Sequence, residues 1–207
     1  GKGPGNLGFL YATDLLADQF GEIVEVFRGT TGVPHWVGTV GLGVCARGEE
    51  YLDEAALAAM VGDFEPGTFN VFSGITRPAD VEQLTLKCGD AAPNFAIVHA
   101  DPHNREIVEL VNRLAGKVES GFLVGGLTSS RRQNVQVADA MTEGGISGVS
   151  FADSVTVATR LTQGCSPIGP KHVITACQQN VIISLDGRPA LEVFQEDIGE
   201  SLARDLN

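Results

Sequence analysis

The chain contains one pattern of residues twice. Residues 6–13 (NLGFLYAT) are echoed 88 positions further on by residues 94–101 (NFAIVHAD). Two more echoes follow in the same order: EIVEV at 22–26 returns as EIVEL at 106–110, and WVGTV at 36–40 returns as LVGGL at 123–127. A unit of this length exceeds a solenoid repeat, so it predicts two similar halves that share one core. We expect a functional site where equivalent loops of the halves meet.

Each copy predicts several strands around one helix. Short apolar runs bounded by turn residues indicate strands, and apolar residues spaced by three and four indicate an amphipathic helix. In the first copy, these patterns predict a strand at 7–12, a helix from 14 to 28 that ends at Gly29, and strands at 36–44, 55–61 and 68–74. In the second copy, they predict a strand at 95–100, a helix at 104–115, and strands at 121–127, 145–151 and 155–161.

These elements predict an α/β fold with mixed β-sheets flanked by helices, built from two strand-helix-strand-strand-strand halves. The halves occupy residues 6–76 and 94–162, and residues 163–207 form an extension without a first-copy counterpart. We expect one domain over residues 1–207, a length that can bury a conventional core. Within the extension, the patterns predict a hairpin-like pair at 172–177 and 181–185 and helical segments at 189–194 and 198–206.

Composition argues against several kinds of partner. The formal net charge is −12, whereas phosphate groups of nucleic acid or anionic membrane are bound by clustered Lys and Arg. No apolar run approaches the roughly 20 residues of a membrane helix. The four cysteines include no C-x-x-C motif and are too few for a disulfide scaffold, so we expect a reducing cytoplasm. The four histidines are dispersed without metal-ligand spacing, and we predict neither a metal nor a cofactor.

The strongest local signal for ligand binding follows the glycine-rich strand of the second copy. Glycines let a ligand approach the backbone, hydroxyl groups supply hydrogen bonds, and an arginine can bind a carboxylate or phosphate through two parallel hydrogen bonds. A solvated turn at a strand end would have a similar composition, but the position directly after a buried strand favours a site. The predicted ligand-binding residues here are Gly125, Gly126, Thr128, Ser129, Ser130 and Arg131.

The equivalent first-copy segment, residues 39–47, is less polar but also contains glycines and an arginine. If a pseudo-twofold axis relates the halves, Thr39 and Gly41 form the opposite wall of a cleft. Local backbone structure that requires glycine explains the composition of this segment equally well.

The sequence of residues 163–170 predicts a loop whose path two prolines and two glycines would fix, and Gln163 and Cys165 are further candidates for ligand binding. Cys165 could also act as a nucleophile with His172 or His99 as base, because a thiolate needs an adjacent base or cation. A buried structural thiol is the simpler interpretation. We therefore assign no catalytic residue, and a thiol-dependent enzyme stays the alternative.

Together these segments resemble the N-terminal part of the FIST domain, a sensory module. The resemblance covers nearly the whole chain and implies an intracellular sensory domain for signal transduction. It also implies a small-molecule ligand, with amino acids proposed, and a signalling protein or a C-terminal FIST domain as partner. We expect that C-terminal part to be missing from this chain, and the F-box members of the family leave a protein-recognition scaffold as a further alternative. The resemblance rests on residues 8–13, 36–39, 125–130, 144–149, 161–170 and 185–193.

Overall fold

The computed structural model describes residues 5–160 and 167–204. The first half of the predicted repeat contains β1 (Leu7–Thr13), a 3-10 helix (Asp14–Gln19), α1 (Phe20–Thr31), β2 (His35–Gly41), β3 (Gly43–Ala46), β4 (Glu49–Leu52), β5 (Leu57–Gly62) and β6 (Phe69–Ile75); α2 (Pro78–Gln83) follows in the segment that joins it to the second half. The second contains β7 (Phe95–Ala100), α3 (Ile107–Ala115), β8 (Phe122–Leu127), β9 (Gln136–Ala138), β10 (Ala140–Thr142) and β11 (Ile146–Phe151). These are followed by β12 (Ile174–Gln178), β13 (Val181–Leu185), β14 (Arg188–Pro189) and α4 (Ala190–Ala203). The chain divides into two units, Gly1–Val157 and Ala158–Asn207.

Two mixed sheets form the first unit. The first sheet has the strand order β10-β9-β2-β1-β5, and the second has the order β6-β11-β7-β8. Each contains a parallel pair connected through a helix, β1-α1-β2 and β7-α3-β8. In each sheet the first strand of this pair also has an antiparallel neighbour on its other side, β5 against β1 and β11 against β7. The predicted α/β fold of mixed sheets flanked by helices is confirmed, while the internal duplication itself stays a prediction.

The two sheets stack face to face between helices. Along β1, Leu10 packs with α1 and Phe9 packs against the second sheet. Along β7, Val98 packs with α2 and α3, and Phe95 packs against the first sheet. The resulting layers are α1, the first sheet, the second sheet, and α2 with α3. Both faces of the central strands are buried, which explains why these strands are apolar at consecutive positions.

Each half contributes a strand to the other half's sheet. β6, from the first half, pairs with β11 in the second sheet, and β9, from the second half, pairs with β2 in the first sheet. The sequence did not predict β9 and β10, or the hairpin of β3 with β4. Segments of three or four residues are too short to display a period, so their pairing is set by the neighbouring strands.

The helix after β1 differs from its prediction at both ends. A 3-10 turn comes first, and α1 begins only at Phe20. It continues through the exposed Gly29 and ends at Gly32, whose φ of 71° is left-handed and whose N–H donates to the Arg28 carbonyl. The predicted end at Gly29 is wrong because one glycine inside a helix costs only about 1 kcal/mol, whereas the left-handed cap requires glycine.

Two further predictions need correction. The strand predicted at 36–44 ends as β2 at Gly41, and a separate hairpin strand follows. Residues 155–160 form no strand. An alternation of apolar and polar side chains gives a strand only where a neighbouring strand offers an edge for hydrogen bonds. Residue 161 of this predicted strand lies outside the described part. The helices predicted at 189–194 and 198–206 correspond to two helical stretches within α4, and the boundary between them lies at Gly199, whose φ of 77° is non-helical; residues 205 and 206 lie outside the described part.

The second unit contains the antiparallel sheet β12-β13-β14 and α4. His172 lies between two carboxylates: its Nδ1 is 2.6 Å from Asp186 Oδ2 and its Nε2 is 2.9 Å from Asp197 Oδ2. The hydrogen bond with Asp186, followed by that with Asp197, raises the pKa of His172. This imidazole connects the turn after β13 to α4. Among the helices that the structure describes, none has the length and apolar character needed to cross a membrane.

Candidate functional site

A cavity of about 520 Å³ lies between the two sheets of the first unit, and we call it the inter-sheet cavity. It is at the carboxyl ends of both parallel strand pairs, the position where α/β proteins place their ligands. Its volume is in the range of small-molecule sites. The described residues that line it are Tyr11, Ala12, Thr39, Val40, Gly41, Leu42, Gly43, Val44, Cys45, Ala58, His99, Gly125, Gly126, Leu127, Thr128 and Ser129.

The inter-sheet cavity brings together predicted site residues from both halves. Thr39 Oγ1, on β2, is 2.8 Å from Thr128 Oγ1, on the segment after β8. The two segments therefore contact each other directly, although they are separated by 89 positions in the sequence. The predicted residues that line the cavity are Thr39, Gly41, Gly125, Gly126, Thr128 and Ser129. Gln163 and Cys165 lie outside the described residues.

Arg131 is placed elsewhere. Its Nε and Nη2 donate to the two carboxylate oxygens of the buried Asp14 at 2.9 and 3.0 Å, and its Nη1 donates to Asp53 at 2.5 Å. The hydrogen bond from this guanidinium lowers the pKa of Asp14. That Arg131 holds an acidic ligand group stays a prediction, and in this structure two aspartates of the chain engage its side chain. Ser130 also lies outside the cavity lining, and its hydroxyl accepts a hydrogen bond from the N–H of Arg132.

The segment from Thr128 to Asn134 is fixed at its far end as well. Asn134 Nδ2 donates to Asp101 Oδ1 at 3.0 Å and is 2.9 Å from His103 Nδ1. Asp101, buried at the end of β7, also accepts hydrogen bonds from the N–H groups of His103 and Gly144. The polar loop beside the cavity is thus held by carboxylates at two points.

Sequence reasoning missed a pair of polar residues in the cavity wall. Tyr11 Oη and His99 Nε2 are 3.0 Å apart, and the rings meet edge to face with centroids 5.5 Å apart. Burial raises the pKa of Tyr11 and lowers the pKa of His99 to about 4, so both side chains are neutral at pH 7. The repeat carried the signal that could have found them, because they occupy matching positions in 6–13 and 94–101.

His99 has an unpaired atom. The side chain is 3% exposed, and its Nδ1 has no hydrogen-bond partner among the described residues. A buried polar atom left unpaired costs about 1–3 kcal/mol, and such atoms are rare enough to need a reason.

Adjacent glycines of β8 have different surroundings. A Cβ at Gly125 would lie 1.8 Å from the Val98 carbonyl oxygen, so the neighbouring strand excludes a side chain. The same contact recurs in the first sheet, where a Cβ at Gly38 would lie 1.7 Å from the Leu10 carbonyl oxygen. A Cβ at Gly126 meets no atom within 4 Å, and Gly126 pairs with His99 across the strands. A side chain at Gly126 would therefore enter the open space beside His99.

Within residues 5–160 and 167–204, no group of three or more His, Cys, Asp or Glu side chains is placed to hold a metal ion. The described thiols are free: Cys45 and Cys177 are exposed, and Cys88 is buried. Burial raises the pKa of Cys88, which keeps it in the unreactive thiol form.

The first unit is a layered α/β unit with a cavity of small-molecule size between its two sheets. The family model described as FIST N domain matches residues 6–188 of the chain. The chain therefore belongs to the FIST N domain family, whose members are generally sensory domains of signal-transduction proteins.

Curated relatives add no functional detail. Two proteins described as uncharacterized, from Mycobacterium tuberculosis strains CDC 1551 / Oshkosh and ATCC 25618 / H37Rv, are each 25% identical to this chain over 186 residues. The matches cover 86% of this chain and 48% of each relative, so the chain spans about half the length of these relatives. No solved structure matches the chain significantly.

Proposed function

We propose that the first unit is the ligand-binding part of a sensory domain and that it binds a small molecule in the inter-sheet cavity. The observation that carries this proposal is the convergence of Tyr11, Thr39, His99 and Thr128 on one ligand-sized space. A mainly apolar wall with a few convergent polar groups is the usual composition of a small-molecule site. The unpaired Nδ1 of His99 adds support, because a buried polar atom without a partner calls for an explanation and a functional role is one of them.

An amino acid is the narrower ligand hypothesis. The hydroxyl groups of Thr39, Thr128 and Ser129 and the backbone near Gly126 could bind its polar atoms. With Arg131 engaged by Asp14 and Asp53, the described lining offers no charged partner for an ammonium or carboxylate group. Amino acids therefore belong in the ligand screen as a class distinct from uncharged metabolites.

Binding in this cavity would act on the loops around it, and a signalling protein or a C-terminal FIST part would respond to the change. We propose a cytoplasmic location, in keeping with the free described thiols. A thiol-dependent enzyme and a protein-recognition scaffold have no specific support from the described residues.

A thermal-shift screen of a metabolite and amino-acid library tests the proposal. A ligand at about 100 times its Kd stabilises the folded state by about 2.7 kcal/mol, which raises Tm by roughly 5–10 °C. In the Gly126→Leu variant the new side chain occupies the cavity, and the shift should disappear. Gly29→Leu is the matched control, because Gly29 is exposed on α1 and its Cβ would also meet no atom. Shifts that persist in Gly126→Leu would contradict binding at this place.

A further inference from the structure

The described residues that line the inter-sheet cavity carry no formal charge. Among the described residues that line it, none is Asp, Glu, Lys or Arg. His99 is neutral because burial lowers its pKa to about 4. An ionised carboxylate or ammonium group moved from water against such a wall loses several kcal/mol of hydration free energy with no partner charge in return. The wall therefore disfavours charged ligands.

The hydrogen bond between Tyr11 and His99 has two arrangements. If Nε2 of His99 accepts, the imidazole proton is on Nδ1, and a buried N–H group has no partner. If Nε2–H donates, Nδ1 is an unpaired acceptor and the Tyr11 O–H is free to donate to another group. The second arrangement is the one that leaves a hydroxyl proton of Tyr11 available to a ligand. Tyr11 then offers a free donor at the cavity.

The hydroxyl protons of the two threonines can be assigned in the same way. Thr39 Oγ1 lies 2.9 Å from the Val135 carbonyl oxygen, which can only accept, so Thr39 donates there. Thr128 must therefore donate in its 2.8 Å contact with Thr39. The oxygen of Thr128 keeps lone pairs that can accept a hydrogen bond. The wall thus presents a donor at Tyr11 and an acceptor at Thr128.

We propose that the inter-sheet cavity selects an uncharged, mainly apolar molecule with an oxygen atom that accepts a hydrogen bond from Tyr11. This inference rests on the proposed function, since it names the ligand class of the same cavity. Alcohols, ketones, esters and amides belong to the class, whereas free amino acids, carboxylates and amines do not. An alcohol can make both kinds of hydrogen bond, because its hydroxyl group both accepts and donates.

A matched ligand series tests the charge selection. 4-Phenylbutan-1-ol, 4-phenylbutyrate and 4-phenylbutylamine share one apolar body but are neutral, anionic and cationic at pH 7. Isothermal titration should give the alcohol an affinity at least about 10-fold higher than either ion, a difference of about 1.4 kcal/mol. Gly126→Leu should remove the binding, and Gly29→Leu should leave it intact.

The donor assignment is tested from both sides of the hydrogen bond. Tyr11→Phe should weaken binding of the alcohol by about 3- to 10-fold, the usual contribution of one hydrogen bond. Butylbenzene, which lacks the oxygen, should bind the wild type more weakly by a similar factor and should be unaffected by Tyr11→Phe. The ligand-side comparison keeps the test valid if the variant fails to fold.

The outcomes separate the two proposals. Binding of an ion as tightly as the alcohol, lost in Gly126→Leu, would overturn the uncharged class and leave a cavity site in place. Equal binding of the alcohol and butylbenzene would overturn the role of Tyr11. A charged library compound that binds in the cavity would also overturn the inference. If neither the series nor the library contains a compound sensitive to Gly126→Leu, the proposed function itself fails.

Discussion

Two neighbouring glycines show how differently the same residue type can act. Gly125 has a φ of 142°, and its Cβ position is blocked by the Val98 carbonyl, whereas Gly126 faces open space. We expect Gly125→Ala to lower the free energy of unfolding by about 2 kcal/mol, because both the backbone conformation and the strand contact are incompatible with a side chain. Gly126→Ala should be neutral or slightly stabilising, since alanine restricts the unfolded chain.

Urea unfolding followed by tryptophan fluorescence measures this difference. Trp36 is the only tryptophan of the chain and is fully buried in the first unit, so it reports on that unit. Equal midpoints for the two alanine variants would contradict the distinction between a packing glycine and a cavity glycine.

His99 makes the first unit sensitive to acid. Its pKa is about 4 in the folded protein and about 6.5 when unfolded, so the unfolded chain binds the proton more readily. The contribution of the neutral imidazole is complete above pH 6.5 and is lost as the pH falls toward 4. The full loss is on the order of 3 kcal/mol.

The control for this prediction is His99→Gln, which does not titrate. Carboxylates also protonate below pH 5, so the loss of stability between about pH 7 and about pH 4.5 should be larger in the wild type than in the variant. Equal losses in both proteins would show that His99 is not buried as a neutral imidazole.

At the scale of elements, the long strands and helices could be predicted and the short ones could not. β1, β7 and β11 are buried on both faces, so their apolar runs mark them within one or two residues. The strands β3, β4, β9 and β10 have no such pattern, because they depend on an edge supplied by a distant strand. For the same reason, the sequence located the loop beside the cavity but missed the partners of Arg131, which are 117 and 78 positions away.

The loop after β8 provides the prediction at this scale. Arg131→Ala leaves the buried Asp14 without its cation and should release the loop. We expect hydrogen exchange of residues 128–134 to accelerate about 10-fold or more, because local opening no longer breaks the ion pair. In Arg131→Ala, the rise in Tm that a ligand causes in the thermal-shift screen should also become smaller, because Thr128 and Ser129 lose their fixed position.

Arg132→Ala is the matched control for the loop. Arg132 pairs with Asp18 at 3.0 Å, but both side chains are exposed, and such surface pairs contribute little. Unchanged exchange in Arg131→Ala, or equal acceleration in both variants, would contradict a specific role for the pair with Asp14.

At the scale of the whole molecule, the two units should respond to pH in opposite directions. His172 has a raised pKa because of Asp186 and Asp197, so the folded second unit binds its proton more tightly than the unfolded chain. Its contribution is complete below pH 6.5 and is lost as the pH rises through the higher pKa of the folded state. The second unit should therefore lose stability on alkalinisation, whereas the His99 contribution to the first unit is lost on acidification.

Hydrogen exchange resolved by segment can follow this effect in the second unit. After correction for intrinsic rates, amides of β12, β13 and α4 should be better protected at about pH 6 than at about pH 8.5. His172→Asn should abolish the difference while leaving residues 5–157 unchanged. Protection that rises with pH in the wild type would contradict the assigned ion pairs.

β6 and β9 each belong to one half of the first unit but pair in the sheet of the other half, and this limits how the unit can move. Each half is hydrogen-bonded into the sheet of the other, so the halves cannot swing apart about a hinge without breaking strand ladders. Under the proposed function, a ligand would therefore enter and leave the inter-sheet cavity past the strand ends. Its presence would be communicated through small displacements of the loop at 128–134 and the β3-β4 hairpin rather than through domain opening.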